Sequence, residues 1–128
     1  MTDSSEFDEP FDFTALADEN VSVQHFDAGE KIFLEDQPAT AMYVVRSGRV
    51  DIVTYGTILE NVGPGGLFGE LSLIDEGDRS AAAIAIEPTE VMAIDKATFA
   101  RIIAKNPAFA LQVMRLLAKR IRRMNQFM

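Results

Sequence analysis

The sequence predicts a mainly β domain with flanking helices, its body an antiparallel sandwich, jelly roll or barrel. Three observations carry that expectation. Short runs rich in Val, Ile, Thr and aromatic residues recur from Val21 to Ile94, each bounded by turn-forming residues. Beyond Asp95 the apolar spacing changes to a helical period, and neither Gly nor Pro interrupts the chain from Ala108 to Met128. A chain of 128 residues with 48% apolar content can bury one core without staples and is too short for two full domains.

In chain order, residues 1–12 are acidic and contain Pro10, so they are expected to be disordered ahead of a single domain over 13–128. A short helix is expected near Phe13 to Asp18. Five strands follow at Val21–Phe26, Glu30–Leu34, Ala41–Arg46, Arg49–Thr54 and Thr57–Val62, with two more at Ser80–Ile86 and Glu90–Ile94. The β body therefore spans about 21–94. The two-residue dividers Ser47-Gly48 and Tyr55-Gly56 read as hairpin turns, and Gly63-Pro64-Gly65-Gly66 as a longer turn. Asp95 is placed to cap a helix over 95–106, with Phe99, Ile102 and Ile103 on one face. Asn106-Pro107 supplies a second cap followed by proline at the first helical position, opening a helix over 107–128. Val113, Leu117, Ile121, Met124 and Met128 form its apolar stripe, flanked by Phe109, Leu116 and Phe127. A small domain hides only part of so wide a stripe, so a homodimer through this helix is expected.

Composition removes several functions. There is no cysteine and a single histidine, His25, which excludes thiolate metal sites, thiol catalysis and cages of several imidazoles. His25 is read as an ordinary half-buried strand residue. No apolar run is long enough to span a membrane and the N-terminus lacks a basic leader, so a cytoplasmic location without membrane contact is expected. The net charge of −8 conceals a division. All eight charged residues after Asp95 are basic, while residues 1–95 carry 4 bases against 20 acids. Such a tail can attract nucleic acid, an anionic ligand or an acidic partner, or dock on its own body.

The segment that carries chemistry runs from Phe68-Gly69-Glu70-Leu71-Ser72 to Arg79-Ser80-Ala81. Glu70 to Ile74 suits a single helical turn whose free N–H groups point toward Gly69, an arrangement that attracts anions. Gly69 lets a phosphate approach the main chain, and Arg79 offers a planar, permanently charged fork. Glu70 needs a donor to face, and a sugar hydroxyl is one. Phosphate, hydroxyl and arginine together describe a nucleotide.

This cassette and its surroundings closely resemble the cyclic nucleotide-binding domain family. The likeness extends through Phe26-Asp27-Ala28-Gly29-Glu30, Ile32-Phe33, Met42-Tyr43-Val44-Val45, Ser47-Gly48 and the Phe99 and Pro107 helices, covering roughly residues 13–124. The resemblance implies a β jelly-roll (double-stranded β-helix) with a short N-terminal helix and two C-terminal helices, the last one long. It further implies that Gly69, Glu70, Leu71, Ser72, Arg79, Ser80 and Ala81 form the phosphate-binding cassette. In the family the Glu meets the ribose 2′-hydroxyl and the Arg the exocyclic phosphate oxygen. Leu59 and Phe68 would line the apolar side, and Asn125 falls where catabolite-activator-type factors contact adenine.

The implied ligand is cAMP or cGMP, with cAMP favoured, and no catalytic constellation or cofactor is expected. The chain stops at Met128, so sequence-specific DNA binding of the helix-turn-helix kind is not expected. The cluster Lys119-Arg120-Ile121-Arg122-Arg123 is read as part of an interface or ligand lid. Three alternatives stay open: a sensor signalling through its last helix to a protein effector, the effector fragment of a longer transcription regulator, or a structural module. In the last case Glu70 and Arg79 pair with each other and the pocket is idle or differently occupied.

Overall fold

The structure, a computed structural model, describes residues 21–126, with side chains as far as Arg123. The expected helix at Phe13 to Asp18 lies outside the described residues. Eight strands and three helices follow in order: β1 (Ser22–Phe26), β2 (Lys31–Phe33), β3 (Ala41–Ser47), β4 (Val50–Thr54), β5 (Thr57–Val62), β6 (Leu67–Phe68), α1 (Glu70–Asp75), β7 (Ala82–Ala85), β8 (Thr89–Asp95), α2 (Lys96–Lys105) and α3 (Pro107–Gln126). They form two four-stranded antiparallel sheets, ordered β1-β8-β3-β6 and β2-β7-β4-β5.

β3 shows why the domain has three layers. Ala41 to Val45 is an unbroken apolar run, buried at every position, as a central strand covered on both faces must be. Tyr43 and Val45 face the core between the sheets, where they meet Val50, Phe68, Ala83 and Val91. Met42 and Val44 face the other way, onto Ile94, Ile102, Phe109 and Val113, so the helices cover the outer face of the first sheet.

The Asp95 cap acts as the sequence predicts, whereas Asn106 is engaged through its backbone N–H, which donates to Ile102 O at 2.8 Å. The Asp95 side chain accepts from the Thr98 N–H at 2.8 Å, which holds its carboxyl below the usual carboxylate range. Pro107 opens α3. Tyr55-Gly56 turns a true hairpin, with Thr54 opposite Thr57.

Ser47-Gly48 does not. β3 and β4 belong to different sheets, so this divider is a crossover and not a hairpin. Gly48 has φ 90° and a Cβ there would lie 2.5 Å from the Pro88 carbonyl oxygen and 2.7 Å from Thr89 Cα. The glycine is needed for close passage over another segment as well as for its dihedral. Strand β6 was not expected at all, because two residues are too few to show a period.

Candidate functional site

The site is assembled by backbone devices first. Two bonds across the Gly63-to-Gly66 turn, Gly65 N–H to Val45 O at 2.8 Å and Val45 N–H to Gly66 O at 2.9 Å, seat β6 beside β3. Gly69, with φ 78°, then swings the chain out of β6 into α1, and no side chain caps that helix start. The returning loop is pinned by Arg79 N–H to Gln37 O at 2.9 Å and by Asp36 N–H to Arg79 O at 2.8 Å. The buried Ser72 hydroxyl donates to Asp78 O at 3.2 Å, tying α1 to the same loop.

These elements enclose a cleft of about 740 Å³. Gly69, Glu70, Leu71, Ser72, Arg79, Ser80, Ala81, Leu59 and Phe68 all line it. Phe68 and Ala81 are buried, whereas Leu71 and Leu59 are exposed at its mouth. Asn125 lies on α3, but its side chain is outside the described residues.

Arg79 is 3% exposed and fixed from three directions. Its NH1 donates to Gly69 O at 2.8 Å, its NH2 to Ala41 O, and its guanidinium carbon lies 4.0 Å from the Phe33 ring centre. Burial lowers its pKa from the ordinary arginine value, with Tyr43 opposing. Nε is buried and has no hydrogen-bond partner among the described residues.

Glu70 is 1% exposed. Its charge partner is Arg120 of α3, whose NH1 contacts Oε1. Neither carboxylate oxygen has a well-aimed hydrogen bond among the described residues, so Oε2 is an acceptor without a donor. The idle-pocket alternative pairs Glu70 with Arg79, and that pairing is not made: Arg79 spends its fork on two carbonyls and Glu70 takes its counter-ion from α3.

Arg120 and Glu60 are the residues that sequence reasoning did not single out individually. Arg120 reaches three elements: Glu70 on α1, Leu67 O on β6 through NH2 at 2.7 Å, and Glu60 Oε2 on β5 through Nε at 2.7 Å. The Nε–H is not aimed along that last contact, which is an ion pair and not a hydrogen bond. Arg123 lies 3.7 Å from the other Glu60 oxygen. Burial lowers the Arg120 pKa most, Glu60 opposes this, and Arg123 lowers it further. Four neighbouring cations carry no sign of which turn inward; the seating of α3 brings Arg120 and Arg123 to the cleft.

Gly69→Ala tests the geometry directly. Its Cβ would stand 2.8 Å from Arg79 NH1 in a left-handed backbone conformation. A stability loss of about 1–2 kcal/mol in urea unfolding is expected from the backbone alone. A displaced Arg79 should weaken any anion bound beside it.

A family model described as the cyclic nucleotide-binding domain matches residues 23–106. A "Cyclic AMP receptor protein" of Thermus thermophilus is 39% identical over 99 residues, covering 73% of this chain and 46% of the relative. A "CRP-like cAMP-activated global transcriptional regulator" of Mycobacterium tuberculosis is 33% identical over 105 residues, covering 78% and 47%. The crystal structure of Thermus thermophilus catabolite activator protein superposes with a TM-score of 0.78 at 36% identity, covering 88% of this chain and 55% of that one. The chain thus spans about half the length of the curated relatives it matches.

Proposed function

The chain belongs to the cyclic nucleotide-binding domain family, and on that premise we propose that it is a non-enzymatic sensor that binds a purine cyclic monophosphate, cAMP in preference to cGMP. One observation carries this reading. Beside the Arg120 Nε, the buried polar groups on the cleft that have no hydrogen bond among the described residues include two of opposite kind: the Arg79 Nε–H, a donor, and the Glu70 carboxylate, an acceptor. A ligand that satisfies both brings an anionic oxygen and a hydroxyl, as a cyclic phosphate fused to a ribose does. The uncapped start of α1 adds free N–H groups on the phosphate side. The names of the bacterial relatives support cAMP as the base choice.

Calorimetric titration with cAMP and cGMP tests the proposal. Saturable binding with tighter cAMP is expected, together with a melting temperature that rises with ligand concentration. No heat and no thermal shift at millimolar nucleotide would leave only an interaction module.

Occupancy is transmitted through α3, whose Arg120 pairs with Glu70. We further propose that α3 pairs with a second copy or a protein effector. Val113 is buried and Leu117 half-buried against the body, so this part of the expected stripe is already used. Leu111, Met114, Ala118 and Ile121 are exposed instead, at steps of three, four and three, the spacing of a helix-pairing seam. Ile121→Glu is expected to shift sedimentation at micromolar concentration from dimer to monomer while leaving the melting temperature of the monomer nearly unchanged.

A further inference from the structure

Glu60 is a carboxylate on the wall of a cleft that already contains one buried carboxylate, and the nucleotide-binding reading assigns it no part. Its position follows from β5, the edge strand of the second sheet, which presents Glu60 toward α3 with only 19% of the side chain exposed. Two cations meet there. Arg120 Nε is 2.7 Å from Glu60 Oε2 and Arg123 NH1 is 3.7 Å from Glu60 Oε1.

The consequence lies at Glu70. A guanidinium facing a buried carboxylate is best satisfied as a fork, with two parallel N–H donors on the two oxygens. Arg120 does not adopt that arrangement. Its Nε edge is drawn to Glu60, NH2 donates to Leu67 O, and the contact with Glu70 runs from NH1 to Oε1. Oε2 is buried at the cleft wall and receives no hydrogen bond among the described residues.

We infer that Glu60 is a positioning residue: by holding one edge of Arg120 it prevents that arginine from closing as a fork on Glu70, and so keeps Glu70 Oε2 available to a ligand hydroxyl. The inference rests on the nucleotide-binding reading above. In the native chain the ribose 2′-hydroxyl and Arg120 use different oxygens of one carboxylate, so the ligand tightens the α3 contact instead of competing with it. Without the Glu60 charge, Arg120 rotates onto both oxygens and the hydroxyl loses its acceptor.

The test is the discrimination between cAMP and 2′-deoxy-cAMP, measured by calorimetry on the native chain and on Glu60→Gln, with circular dichroism to confirm folding. The native chain is expected to prefer cAMP by about ten- to one-hundred-fold, the value of a hydrogen bond to a charged group. In Glu60→Gln cAMP should weaken to the level of the deoxy ligand, while 2′-deoxy-cAMP binds within about two-fold of its native affinity. Adding Arg120→Lys to Glu60→Gln should restore discrimination, since an ammonium is a point charge and cannot form the fork. An equal loss for both nucleotides in Glu60→Gln would mean that Glu60 merely shapes the cleft, and unchanged discrimination would mean that Arg120 is oriented without it; either overturns the inference. Binding of neither nucleotide by the native chain would instead remove the nucleotide reading on which it stands.

Discussion

Arg79→Leu is expected to weaken cyclic nucleotide binding by about 2–5 kcal/mol, or about thirty- to several-thousand-fold, in a calorimetric titration. The size follows from burial. Arg79 is 3% exposed, so its attraction to the phosphate it would meet is only weakly screened, and removing the cation leaves that charge unpaired. The same substitution has a structural effect, because Gly69 O and Ala41 O each lose a donor. A buried carbonyl without its partner costs about 1–3 kcal/mol, so unfolding should also become easier. Arg79→Lys separates the two effects: it keeps the charge but cannot span both carbonyls, and should bind at an intermediate affinity. Equal affinity in Arg79→Leu and native protein would refute the placement of the phosphate.

Phe68→Ala is expected to lower unfolding stability by about 3–5 kcal/mol. Phe68 is 1% exposed, and its ring centre lies 5.2 Å from that of Tyr43 and 6.0 Å from that of Phe33. Phe33 in turn carries the Arg79 guanidinium, so this aromatic group supports the fold and the anion-binding side chain together. Truncating Phe68 removes one of three mutually contacting rings, Phe33 and Tyr43 being 6.0 Å apart, and leaves a cavity beside the other two. Leu59→Ala is the control. Leu59 lines the same cleft but is 59% exposed, so its removal should change stability by no more than about 0.5 kcal/mol. Urea midpoints for the two variants give the comparison, and a loss below about 1 kcal/mol for Phe68→Ala would show that the site can collapse.

The sequence was most legible where one local rule decides the outcome. Thr57–Val62 was read as a strand to the residue, Asp95 as a cap and Pro107 as the first residue of the long helix, because alternation, capping chemistry and proline geometry act within a few residues. Ser47-Gly48 looked like Tyr55-Gly56 yet joins different sheets, since a dipeptide carries its turn preference but not the identity of the strand that pairs beyond it. The expected stripe on α3 was divided for a similar reason: periodicity gives the apolar positions, and only the angle at which the helix lies on the first sheet decides that Val113 is buried while Met114 faces solvent.

The antiparallel β class and the cleft-lining residues Gly69 to Ser72 and Arg79 to Ala81 were legible in the sequence alone, because close backbone approach and a permanent charge demand particular residue types at particular separations, and the jelly roll was implied by the family resemblance. The tertiary structure alone decided which charges meet. Arg120 on α3 lies far along the chain from both Glu60 on β5 and Glu70 on α1, and an ion pair across such a separation has no local signature. Coulombic contact depends on distance in space, and folding the last helix over the cleft is what reduces that distance to a hydrogen-bond length.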